Sequence, residues 1–184
     1  MSALVPIDAG LVLASRIFTL TIFARALISK ARHRQEFIGV VAAYRLLPQP
    51  FVRMTAWMVL ILEGIVVLGL LTGHALFWIS CLATALLCLF ALAMAVNVAR
   101  GRTEIDCGCF RDTLRQRISY GSVLRNLLLA VVAIVPALVT PTSVSSVQLV
   151  NGTCGGITFF LVFLLCEQLA VVRRQGTLLR NRWS

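Results

Sequence analysis

Two cysteines separated by one glycine, Cys107-Gly108-Cys109, are the residues of this chain best placed to do chemistry. They sit inside Asp106-Cys107-Gly108-Cys109-Phe110-Arg111, a stretch that reads as a loop. A single intervening glycine supplies the backbone freedom that a very tight ring needs. A disulfide in so small a ring is strained, and strained disulfides are the exchange-active ones. Arg111 would favour a thiolate, while Asp106 would oppose it. Redox exchange, metal binding and an inert turn are the three readings of this pair. Metal is the weakest from spacing: the two histidines, His33 and His74, fall in distant connections, so no four-ligand zinc pattern is present. No metal is expected.

The other four cysteines read differently. Cys81 and Cys88 lie in one apolar run, about 10 Å apart along a helix. They cannot bridge each other. With Cys166 they read as small packing residues. Cys154 precedes the last apolar run and is a candidate to meet Cys81.

The elements that must position these residues are apolar. The chain has 184 residues, 59% hydrophobic and only 13% charged, against roughly 25% charged in a soluble domain. Mean hydropathy is +0.93. Soluble enzymes and disordered chains are thereby excluded. Five apolar stretches, 9–29, 54–71, 75–99, 122–140 and 156–172, are long enough or nearly so to cross a bilayer. The expected fold is all-α: a polytopic membrane helix bundle forming one domain over 1–184. Segment 36–47 is too short to span and too apolar for a free loop, so it reads as an interfacial or re-entrant helix ended at Pro48. Segment 141–153 reads as a polar loop.

Lys plus Arg is 17 and Asp plus Glu is 7, a net charge of +10. In a soluble chain this would suggest nucleic acid. Here the cations cluster in the 30–53 connection, the 100–121 connection and the tail, which five crossings place on one side. The positive-inside rule then puts the N-terminus outside and the C-terminus in the cytoplasm. The surplus is a topology signal, with the lipid bilayer as partner and no nucleic acid. Asp8 and the lack of a basic leader argue for a retained first span.

Charged residues inside spans are costly and are usually paired. Arg16 lies about 10 Å, and Glu63 about 12 Å, below the outer ends of their spans at 1.5 Å per residue. Equal depth predicts an Arg16–Glu63 pair, either locking two helices or serving a proton or quinone site. Arg25, Asn97, Arg125, Asn126 and Glu167 form a second polar layer near the cytoplasmic level. Glu167 needs a partner, and Arg25 and Arg125 are the candidates.

Arg16, Lys30, Phe37, Tyr44-Arg45-Leu46-Leu47-Pro48, Glu63 and Asp106-Cys107-Gly108-Cys109-Phe110 occur in an order that resembles the MauE/DoxX group of small redox-associated membrane proteins. The likeness is nearest to the MauE family of methylamine utilisation proteins and covers about residues 10–140. It departs at Arg111, where that family often carries glycine. The resemblance implies a four-helix DoxX-like core with a fifth, C-terminal span added, in a bacterial inner membrane. It also implies a role in maturation of methylamine dehydrogenase, whose periplasmic β subunit carries a tryptophan-derived quinone and many disulfides. A thioredoxin-like partner (MauD) is implied with it.

Two functions follow as expectations. One is a thiol–disulfide relay at Cys107 and Cys109, supported by Asp106, Gly108, Phe110 and Arg111. The other is a docking or assembly factor without redox chemistry, in which the CGC element is a turn. The relay carries a difficulty: the thiols are expected in the cytoplasm, whereas the client folds outside.

Overall fold

The computed structural model describes residues 9–102, 118–139 and 145–180. These fold into six helices: α1 (Ala9–Arg32), α2 (Arg34–Ala43), α3 (Gln49–Thr72), α4 (Leu76–Ala99), α5 (Tyr120–Leu138) and α6 (Ser146–Arg180). Among the described residues there is no strand. Five helices, all but α2, are long and apolar enough to cross a membrane. The protein is a multi-pass helical membrane protein.

α1, α3, α4 and α5 close a ring, each packing against two neighbours in the order α1–α3–α4–α5–α1. α6 packs outside it, its backbone against α1, with one side-chain ion pair reaching α5. Lipid offers no hydrophobic gain for helix association, so close side-chain packing must hold the ring. Its centre is filled by Phe18 and Phe23 of α1, Val66 and Leu70 of α3, Leu86 of α4 and Ala133 of α5. Leu68, Leu92, Val131 and Phe159 instead point outward and are largely exposed. That is the pattern of a bundle bathed in hydrocarbon.

Local sequence sets the helix ends. Pro50 lies in the first turn of α3, where its missing N–H costs nothing. α3 stops at Gly73, whose φ of +79° is left-handed and whose N–H donates to the Gly69 carbonyl at 2.9 Å. A Cβ there would also stand 2.9 Å from the Arg16 guanidinium. Gly73→Ala should therefore cost about 1–2 kcal/mol for the left-handed backbone alone. The check is a lowered unfolding midpoint in detergent.

Several boundaries differ from the sequence expectation, α3 already starting at Gln49 and α6 running on to Arg180. The short helix spans Arg34–Ala43 and ends before Tyr44, not at Pro48, which instead caps α3. Arg45, with φ of +48°, breaks the path between them. α1 continues to Arg32. α6 starts at Ser146, so much of the expected polar loop, including Asn151-Gly152-Thr153 and Cys154, is helix. The reason lies in packing: Gly152 and Gly156 fit closely against Gly10 and Ala14 of α1, which draws the polar-looking stretch into the bundle.

Candidate functional site

Glu63 is buried in α3, only 1% exposed. Its partner is Lys30 of α1, whose Nζ donates to Glu63 Oε1. Lys30 is itself 3% exposed. Its ammonium also lies over two aromatic faces, 5.1 Å from the Phe37 ring centre and 4.6 Å from that of Phe90. Rings at that range attract a cation through their negative faces. One lysine thus ties together α1, α2, α3 and α4.

The Arg16–Glu63 pair expected from depth is not formed. Arg16 Nε donates to the Leu70 carbonyl at 2.7 Å, and its Nη2 to that of Leu71 at 3.2 Å. Two physical facts account for the exchange of partners. Cα–Cβ bonds tilt toward the start of their helix. In α1 this tilts Arg16 away from the bundle centre and Lys30 into it. In antiparallel α3 it tilts Glu63 toward Lys30. The cation at the end of α3 then meets carbonyls that have no partner within the helix, and the negative end of the helix dipole. Sequence reasoning placed Lys30 in a connection. The signal that could have found it is the unbroken helical run through Ala31 and Arg32.

In the second polar layer, Glu167 of α6 is paired with Arg125 of α5, both mostly buried. Arg25 is half-buried. Asn97 and Asn126 are buried and donate to carbonyls one turn back, Asn97 Nδ2 to Ala93 at 3.0 Å and Asn126 Nδ2 to Ser122 at 3.0 Å. Asn126 lines a cavity of about 20 Å³ in the ring interior together with Lys30, Glu63, Phe23, Phe90 and Leu129. Its walls are almost wholly apolar, so it is a small gap in the packing and offers a water no polar partners.

Asp106, Cys107, Gly108, Cys109, Phe110 and Arg111 lie outside the described residues. The described residues on either side of them are Arg102, three residues past the end of α4, and Ile118, which is buried against Tyr44, Met94 and Val98. Both therefore lie at the Lys30 end of the ring. Cys81 is half-buried, and Cys88, Cys154 and Cys166 are exposed; all four are free thiols. The meeting of Cys154 with Cys81 does not occur: both are free thiols, and the α6 backbone lies against α1 and not against α4. Among the described residues no three His, Cys, Asp or Glu side chains converge as metal ligands would.

The arrangement of four ring helices with a buried cation and carboxylate can be set beside known proteins. Residues 8–139 match the family model described as methylamine utilisation protein MauE. The chain belongs to the MauE family. The MauE protein of Paracoccus denitrificans is 42% identical over 158 residues, covering 85% of each chain. That of Paracoccus versutus is 39% identical over the same length, again 85% of each chain. The MauE protein of Methylorubrum extorquens is 37% identical over 155 residues, 80% of this chain and 81% of the relative. No solved structure matches. The MauE match takes in the whole ring, Arg16, Lys30, Glu63 and the thiol segment, and ends before α6. An alignment covering 85% of the chain cannot stop there, so α6 is shared at least in part with the Paracoccus proteins.

Proposed function

We propose that this MauE family member is a maturation factor for the methylamine dehydrogenase β subunit, acting by thiol–disulfide exchange at Cys107 and Cys109. The observation that carries the reading is a Cys-Gly-Cys element in a chain 42% identical to a methylamine utilisation protein. A thiolate of the pair attacks a disulfide of a thioredoxin-like partner such as MauD, forming a mixed disulfide. The second thiolate displaces the partner's sulfur. The pair is then oxidised by two electrons, and the partner's disulfide becomes two thiols. The same steps reversed would pass a disulfide from the pair to a client. In this reading the protein sits in the bacterial inner membrane with the Lys30 end in the cytoplasm, which the cluster of Lys30, Arg32, Arg34, Arg45, Arg53, Arg100 and Arg102 supports.

The test is a double Cys107→Ser, Cys109→Ser variant in a methylamine-grown host lacking its own MauE. Periplasmic methylamine dehydrogenase activity should fall to background in the variant, and labelling of Cys107 and Cys109 of the wild-type protein in intact cells should change with added reductant. Full activity in the double variant would overturn the exchange step and leave a docking role without redox chemistry.

A further inference from the structure

The end of the ring where α1 stops is crossed by α2 and the turn that follows it. Phe37 of α2 packs on Ala56 and Val59 of α3. Tyr44, just past the end of α2, packs on Met94 and Val98 of α4 and on Ile118. α2 and its turn thus reach from one side of the ring toward the other. Arg53, in the second turn of α3, marks the depth of this end. It precedes Gly73 by about 30 Å of helix at 1.5 Å per residue, which is the thickness of the hydrocarbon layer.

The charge here is one-sided. Between residues 30 and 53 the chain carries a single acidic side chain, Glu36, against five cations. Lys30 is buried against Glu63. Arg32, Arg34, Arg45 and Arg53 are exposed, and none has an ion-pair partner among the described residues. The positive-inside rule accounts for arginines at this end, but not for the backbone of Arg45. Its φ of +48° is left-handed, a conformation that disfavours residues other than glycine. Glycine is the usual residue where a chain leaves a helix this way. Keeping an arginine there sacrifices stability, which points to a use for its side chain.

The apolar side chains between and beside the arginines select the partner. Leu46, Leu47, Phe51 and Trp57 are all at least 40% exposed. A soluble phosphate would gain nothing from them. A phospholipid covers apolar groups with its chains and offers its phosphate to cations, and charge complementarity requires that it be anionic. We propose that Arg45 and Arg53 bind the headgroup of an anionic phospholipid, with Leu46, Leu47, Phe51 and Trp57 against its acyl chains. Guanidinium groups donate paired N–H bonds to phosphate oxygens, and residues 46–52 between the two arginines carry no charge that would compete. The site stands on the charge and backbone of the α2–α3 turn and not on the thiol reading.

Trp57, one helical turn from Arg53, is a built-in reporter. Trp78→Phe and Trp183→Phe leave it as the only tryptophan of the full chain. In phosphatidylcholine vesicles its quenching by brominated phosphatidylglycerol and by brominated phosphatidylcholine gives the relative affinity of the two lipids. The anionic lipid should be preferred. Arg45→Gly and Arg53→Gln should each lower the ratio about fivefold, the effect of one cation at an anionic surface, and the double variant should bring it to about one. Arg45→Lys should retain most of the preference. Arg45→Gly should at the same time raise the unfolding midpoint in phosphatidylcholine, because it relieves the backbone, which separates lost lipid from lost folding. Equal affinity for the two lipids in the Trp57-only chain, or an unchanged ratio in Arg45→Gly, overturns the site. Removal of the preference by millimolar glycerol 3-phosphate at constant ionic strength would assign the patch to a soluble phosphate and overturn the lipid.

Discussion

Lys30→Met should destabilise the bundle by about 3–5 kcal/mol, the usual effect of stripping one partner from a buried ion pair. The carboxylate of Glu63 would remain in the ring interior, with no cation near it among the described residues. The Phe37 and Phe90 faces would lose their cation as well, and with it a contact between α1 and both α2 and α4. Adding Glu63→Leu to Lys30→Met should reverse most of the loss. Apolar replacement of a whole buried pair is commonly neutral or stabilising by about 1–4 kcal/mol. Denaturant titration in mixed micelles reads both variants. Equal instability of the single and double variants would show that the lysine acts through its packing and not its charge.

Leucine at both Gly152 and Gly156 should detach α6 from α1. A Cβ at Gly152 would stand 2.8 Å from the Gly10 carbonyl oxygen and 2.8 Å from Leu13 Cβ. At Gly156 the same atom would meet the Ala14 carbonyl and Ile17 Cβ, each at 2.8 Å. Two of these four neighbours are backbone, so no rotamer change relieves the clash. The helices must move apart, at about 1–3 kcal/mol per overpacked position. The edge contacts of Phe18 with Phe159 and Phe163, ring centres 6.4 and 6.0 Å apart, would open with them. Spin labels on α1 and α6 should report a longer and broader separation. An unchanged distance would show that the seam is held elsewhere, with the Arg125–Glu167 pair the first candidate.

The five crossings were legible because long apolar runs leave few alternatives: only helices and closed barrels satisfy the backbone in lipid. The partners of the buried charges were not. Depth bookkeeping assumed that α1 and α3 end at a common level, but Arg16 meets Leu70 and Leu71 near the end of α3. α1 therefore begins farther out than α3 ends, and equal counts from the two ends do not mean equal height. Side-chain tilt then decided which cation reached Glu63. The start of α6 was hidden for a different reason. Ser146, Gln148, Asn151 and Thr153 read as polar loop, and only the fit of Gly152 and Gly156 against α1 makes them helical turns. Glu167 could be narrowed to Arg25 or Arg125 from sequence; choosing between them needed the position of α6 beside α5.

α6 shares its backbone seam with α1 and no other helix. The ring is therefore topologically complete before the chain reaches Ser146, and all four of its seams would survive the loss of the last crossing. Two modules result: a cylinder that keeps Lys30 and Glu63 from lipid, and a strut riding on one of its staves and tied to a second by the Arg125–Glu167 pair. Change can accumulate on the strut's free side, where it meets whatever the membrane brings, without reopening the cylinder.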